Sequence, residues 1–357
     1  MTKLFIAALC ALLILSSSAA EATFSNPLSH TNLLVYRTQG GKVSPVETPA
    51  EWEQRRAEIV RGMQAIMGPL PGEEKRCLLD VKTDKEVDET SFVRRLITYA
   101  SEPGSRVPAW LLIPKEALHG HDGFPAILAL HPTDMEYGYR VVVEPLRPHY
   151  RAYARDLAER GFVVIAPAYP LMANYKPNLQ ALGYQSGTMK AVWDNIRALD
   201  LLESLPFVKK REFGAIGHSL GGHNAIFTAV FEQRLKVVVS SCGFDSFVDY
   251  MNGNITGWTS ERYMPKLAAF RGRPTDIPFD FYELIGALAP RPVLISAPLH
   301  DTNFKSGSVD AVVKAALPIY RLYAATQNLR VVHPDCGHDF PPEVREETYR
   351  FLAQTLR

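Results

Sequence analysis

Beyond Phe124 the chain repeats one pattern: a short apolar run, a turn, then a helical stretch. The apolar runs are AILAL (126–130), FVVIA (162–166), FGAI (213–216), KVVV (236–239), VLIS (293–296) and RVV (330–332). Helical patterns fall at 150–160, 188–205, 220–232, 309–325 and 343–356. Within 188–205, Val192, Ile196, Leu199 and Leu202 recur at steps of 4, 3 and 3, one face of a 3.6-residue period. Runs apolar on both sides that alternate with helices predict an α/β fold, with a mainly parallel central sheet and helices on both faces. Right-handed crossovers then bring the carboxyl ends of the strands to one edge, where open α/β sheets bind ligands.

The rest of the 357 residues is organised around that unit. Lys3, the apolar run Leu4–Leu15 and the small residues from Ser16 to Ala22 read as an export leader cut near Ala20 or Ala22, which predicts a secreted or periplasmic protein. No other apolar stretch is long enough to cross a bilayer. The segment 49–68 predicts an amphipathic helix with Trp52, Ile59, Met63 and Ile66 on one face, stopped by Gly68-Pro69. Residues 76–114 predict strands, with a Pro-Gly turn at 103–104. The expected division is a leader (1–22), an N-terminal helical and strand extension (23–90) and a catalytic domain (91–357).

Composition excludes whole classes of partner. Lys and Arg total 39 against 38 Asp and Glu, so the chain has no field to hold nucleic acid or an anionic membrane. Removal of the leader takes away Cys10 and leaves Cys77, Cys242 and Cys336, an odd count that argues against a disulfide scaffold. Free thiols are therefore expected, Cys242 and Cys336 included.

Gly217-His218-Ser219-Leu220-Gly221 fits G-x-S-x-G, a pattern that a chain of this length shows about 0.1 times by chance. Here a strand precedes it and a helix follows, the setting in which a tight turn pushes the serine into an exposed, strained conformation. A serine hydroxyl needs a base and a group to orient the base. Asp301 follows VLIS and His338 follows RVV, so each gap in the order Ser219, Asp301, His338 has room for one strand-plus-helix unit. Asp245, after KVVV, is the rival acid, and His333 the rival imidazole. The group His333, Asp335, His338 and Asp339 lacks a recognisable metal-site spacing, so no metal or cofactor is expected. His218 and His223 read as packing or hydrogen-bonding groups beside the turn.

The segments AWLLIP, LALHPT, GFVVIAPAY, IGHSLGGHNA, RPVLISAPLHD and CGHDFPP together resemble the α/β-hydrolase superfamily, in its dienelactone-hydrolase, acetyl-xylan-esterase and prolyl-oligopeptidase branch. The resemblance covers about residues 90–357 and implies an α/β-hydrolase fold. It implies Ser219 as nucleophile, His338 as general base and then acid, and Asp301 as the orienting carboxylate. It also implies an oxyanion hole made by the backbone N–H of Leu220 and a second donor after LAL. The chain departs from the common His-Gly pattern there, reading His131-Pro132-Thr133; proline has no N–H, which leaves Thr133.

The expected activity is hydrolysis of carboxylic esters, small-molecule or carbohydrate, acetyl esters among them. An aromatic-rich insert at 243–290 would form a wall of the pocket. A prolyl-oligopeptidase-like peptidase is the alternative, but a propeller needs far more than the roughly 70 residues available before 90. A non-catalytic binder on a hydrolase scaffold is the third reading, disfavoured because all three triad members are present in order.

Overall fold

The computed structural model describes residues 27–120, 123–147 and 151–357. The expected leader, residues 1–22, lies outside the described residues. A short ribbon, β1 (Val35–Arg37) with β2 (Val43–Pro45), precedes α1 (Pro49–Met67). Thr48 and Glu51 close a capping box at the start of α1, and Trp52, Ile59, Met63 and Ile66 are buried as the periodicity required.

Nine strands follow in one sheet: β3 (Lys82–Asp88), β4 (Phe92–Glu102), β5 (Ser105–Pro114), β6 (Phe124–Leu130), β7 (Val163–Pro167), β8 (Val208–His218), β9 (Leu235–Ser241), β10 (Val293–Ser296) and β11 (Leu329–Val332). Their order is β11-β10-β9-β8-β6-β7-β5-β4-β3. From β11 to β7 every pairing is parallel; β5, β4 and β3 complete the sheet with antiparallel pairings. The helices are α2 (Lys115–Leu118), α3 (Tyr153–Glu159), α4 (Gly187–Ser204), α5 (Leu220–Phe231), α6 (Phe281–Gly286), α7 (Ser306–Leu322) and α8 (Pro342–Leu356). The alternation predicted a mainly parallel sheet between helices, and the arrangement is the α/β-hydrolase architecture that the resemblance implied.

Handedness distributes the helices. The step from β6 to β7 runs one way along the sheet and the step from β7 to β8 runs back, so right-handed crossovers place α3 and α4 on opposite faces. Tyr349 and Arg345 of α8 both bond Asp156 of α3, fixing those two helices together. The chain therefore diverges from β6 to either side, and the crevice between the loops after β6 and β8 is the topological switch point.

The insert after β9 differs from its expected role. Phe244, Phe247, Phe279 and Phe281 are fully buried and Trp258 nearly so; Phe244 stacks on Phe281 at 4.7 Å between ring centroids. Most of the aromatic content thus forms a core beneath the insert, because a long excursion with little regular structure must bury apolar surface of its own. Tyr263 is the insert residue that reaches the switch-point loops.

Candidate active site

The strand-helix turn at Ser219 is built by contacts that leave no room for side chains. A Cβ on Gly217 would stand 2.1 Å from the Gly221 carbonyl oxygen, and one on Gly221 would stand 2.0 Å from the Leu130 carbonyl oxygen. β8 can therefore turn directly into α5 only with glycine at both positions. The turn holds Ser219 at φ 55°, ψ −122°, a conformation that a non-glycine residue adopts only under constraint, while its N–H donates to Ser241 O at 2.8 Å. Leu220, the first residue of α5, contributes one of the N–H groups that a helix start leaves without an intrahelical acceptor.

Two loops deliver the partners. The loop after β10 carries Asp301 and the loop after β11 carries His338; they are stitched together where Leu299 N–H donates to Pro334 O and His300 N–H to Cys336 O, both at 3.0 Å. His338 Nε2 lies 2.9 Å from Ser219 Oγ, and His338 Nδ1 lies 2.8 Å from Asp301 Oδ2. Because the carboxylate can only accept, Nδ1 carries the proton and Nε2 offers its lone pair to the serine hydroxyl. Asp301 Oδ1 accepts from Asn303 N–H (2.8 Å) and Phe304 N–H (3.2 Å). Burial works to raise the Asp301 carboxyl pKa, but the His338 hydrogen bond, its charge and these two N–H donors outweigh it and hold the group below its ordinary value. Arg151 Nη2 steadies the histidine loop at the His338 carbonyl, 3.3 Å away.

The rival residues are committed elsewhere. Asp245 is buried, and its Oδ2 accepts from Lys305 N–H at 3.1 Å. Burial foremost, then Asp249, raises its carboxyl to about 7 against the Lys305 contacts. His333 faces the Ala297 carbonyl (2.7 Å) and Asp310 (3.0 Å). Asp335 bonds His300 and Asp339 bonds Arg151, so the group His333, Asp335, His338 and Asp339 does not assemble.

The neighbouring histidines are structural. His131 Nε2 accepts from Tyr169 N–H (2.9 Å) while Nδ1–H donates to Pro132 O (2.7 Å), and burial holds its pKa at about 4. That neutral ring fixes the loop that presents Thr133. Thr133 is exposed, and its hydroxyl bonds the Tyr263 hydroxyl at 3.1 Å. Tyr263 packs against the small apolar cluster that includes Leu220. His223 Nδ1–H donates to Gly243 O at 3.0 Å, and burial holds its pKa at about 4.

Two residues near the centre escaped the sequence reading. Cys242, considered only for a disulfide, follows β9 at the same carboxyl edge as the triad, and that position was its available signal. Tyr263 belongs to the aromatic insert expected to wall the pocket, but nothing in its sequence context singled it out from the other aromatics there. Cys77, Cys242 and Cys336 are free thiols, and β9 and β11 flank β10. A cavity of 580 Å³ lined by Phe124, Arg160 and Arg357 lies at the amino-terminal end of β6, the opposite edge from Ser219.

A strained serine turn, with Ser219, His338 and Asp301 in hydrogen-bond contact, stands at the switch point of an α/β-hydrolase sheet. Over 312 residues the chain is 31% identical to YtaP of Bacillus subtilis (strain 168), named as a hydrolase, in an alignment that covers 84% of this chain and 100% of YtaP. The chain belongs to that hydrolase family. Residues 178–324, which include Ser219 and Asp301, match the family described as "Glucuronyl esterase, fungi". The fold is shared with a glucuronoyl esterase from Solibacter usitatus (17% identity, 92% of this chain and 98% of that one, TM-score 0.72). It is shared also with a carbohydrate esterase family 15 glucuronoyl esterase from Caldicellulosiruptor kristjansonii (17% identity, 94% and 92%, TM-score 0.69). The family model and both solved structures named here are glucuronoyl esterases rather than dienelactone hydrolases or prolyl oligopeptidases, so the comparisons do not point to the expected branch: the motifs that carried it are common to the superfamily and do not separate its branches.

Proposed function

We propose that the protein is an exported serine esterase acting on carboxylic esters borne by carbohydrate, of the glucuronoyl or acetyl type. The contact that carries this reading is Ser219 Oγ to His338 Nε2 at 2.9 Å, with Asp301 behind the ring. Ser219 attacks the acyl carbonyl as His338 Nε2 takes its proton, and Asp301 stabilises the imidazolium that forms. The Leu220 N–H meets the developing oxyanion, with a second donor at Thr133. On collapse, His338 returns the proton to the leaving alcohol; water then attacks the acyl-enzyme along the same path in reverse. His131 supports this by fixing the Thr133 loop, and Tyr263 by bonding the Thr133 hydroxyl.

The glucuronyl esterase match and the glucuronoyl esterases of the same fold support an ester substrate over a peptide. The test compares p-nitrophenyl acetate and the methyl ester of glucuronic acid with aminoacyl p-nitroanilides. Turnover of the esters and none of the anilides is expected; cleavage of the anilides alone would overturn the esterase reading.

A further inference from the structure

Cys242 brings a third donor element to the triad. Its backbone is held in the left-handed region (φ 47°), with its N–H donating to Ser296 O at 2.8 Å. Its buried thiol donates to Asp339 O at 3.2 Å and faces the Asp301 carboxylate. Cys242 Sγ, an Asp301 oxygen and a His338 ring nitrogen all lie within 4.8 Å of one another, the one such group of three among the described residues. No step of the ester chemistry uses the thiol.

We infer that Cys242, Asp301 and His338 form an inhibitory site for a soft divalent cation of the zinc or cadmium kind. Sulfur, nitrogen and oxygen donors at about 2.0–2.3 Å from a tetrahedral zinc stand roughly 3.5 Å apart. The three groups lie within 4.8 Å of one another, with His338 Nδ1 and Asp301 Oδ2 at 2.8 Å, so the carboxylate and the ring open slightly and the widest gap closes by at most about 1.3 Å. The His338 ring, with 27% of its side chain exposed, gives the route of entry and leaves the fourth position to water.

Proton bookkeeping makes binding incompatible with turnover. A cysteine thiol, with an ordinary pKa of about 8.5, carries its proton at neutral pH. The cation displaces that proton to solvent and forms the metal–thiolate bond. It takes the lone pair of His338 Nδ1, which requires the imidazole proton to move, through solvent, to Nε2. Nε2–H then faces Ser219 Oγ as a donor and has no lone pair to take the serine proton. One proton is released per cation, and no electron transfer is involved. The loss of turnover rests on the proposed role of His338; the binding does not.

The test is titration of the full-length protein with Cd²⁺, following the ultraviolet thiolate-to-metal absorption, proton release and ester hydrolysis together. One Cd²⁺ per chain, one proton released and at least a tenfold loss of turnover restored by EDTA are expected, with the absorption intact in Cys77→Ser, Cys336→Ser and Ser219→Ala. Cys242→Ser should lose the absorption and need at least tenfold more Cd²⁺ for inhibition. If that variant does not fold, Asp301→Asn should weaken Cd²⁺ binding at least tenfold by absorption alone. Absorption that survives in Cys242→Ser, or Cd²⁺ binding that leaves turnover unchanged in a protein whose hydrolysis a fluorophosphonate abolishes, would overturn the proposal. A protein with no serine hydrolase activity that still bound Cd²⁺ through Cys242 would instead refute the esterase reading alone.

Discussion

Gly217 and Gly221 approach so closely that the Cβ position of the first lies 2.1 Å from the carbonyl oxygen of the second. This contact sets the sharpness of the turn that exposes Ser219. Gly217→Ala forces backbone against backbone, which no rotamer change relieves, so it should destabilise the fold by at least about 3 kcal/mol, the upper end for overpacked sites. The midpoint of urea unfolding measures this; an unchanged midpoint would mean that the turn has slack.

Asp301 and Asp245 make opposite predictions. Asp301→Asn removes the group that holds the proton on His338 Nδ1 and should lower kcat on the order of 10⁴-fold with the fold intact. Asp245→Asn should leave ester turnover within about twofold, as expected for a residue with no bond to the imidazole. Steady-state kinetics of the two variants decide which carboxylate orients His338.

The same Asp245 predicts a pH effect on stability. Its folded-state pKa of about 7 lies above the ordinary aspartate value of 3.8, so the folded form holds the proton more tightly and wild-type stability falls as pH rises between those values. Asp245→Asn should abolish that fall, gaining on the order of 3 kcal/mol over wild type above pH 7 and nothing near pH 4. Denaturant unfolding at pH 4.5 and 8 checks the sign.

His30 works the other way. It bonds Glu283 at 2.7 Å, joining the N-terminal extension to α6. Burial lowers its pKa, but the Glu283 hydrogen bond and charge, with Asp280, raise it to about 9 from 6.5. Its contribution is full below about pH 6.5 and lost as pH climbs through 9. His30→Gln should therefore be less stable than wild type by roughly 2–3 kcal/mol at pH 6, with the gap closing by pH 10.

The contact between Thr133 and Tyr263 predicts a kinetic split. Tyr263→Phe removes the hydroxyl that orients Thr133 and should lower kcat roughly tenfold with little change in KM, a fraction of what losing an oxyanion donor costs. Thr133→Ala should behave alike, and the double variant should lose little more.

Regular elements were legible because periodicity acts locally. Val192, Ile196, Leu199 and Leu202 fix the buried face of α4, and Trp52, Ile59, Met63 and Ile66 that of α1, without reference to the rest of the chain. Strand ends on a parallel sheet share an edge, so topology brought Ser219, Asp301 and His338 to one rim; it did not separate Asp301 from Asp245 or His338 from His333, which the contacts at the imidazole decide. What was not legible depends on contacts between distant segments. Nothing near His30 indicates that Glu283 will bury it, and nothing near Tyr263 indicates that it will meet Thr133. The aromatics of the insert were assigned to a pocket wall because composition does not tell a buried core from a lined cleft.

The most direct measurement is covalent labelling of the full-length protein with a fluorophosphonate probe, followed by peptide mass mapping. A single adduct on Ser219, absent from Ser219→Ala and slowed at least about a hundredfold in His338→Ala, is the expected result. Labelling of Ser219→Ala at the wild-type rate, or no adduct on native protein, would contradict the assignment of Ser219 as an activated nucleophile.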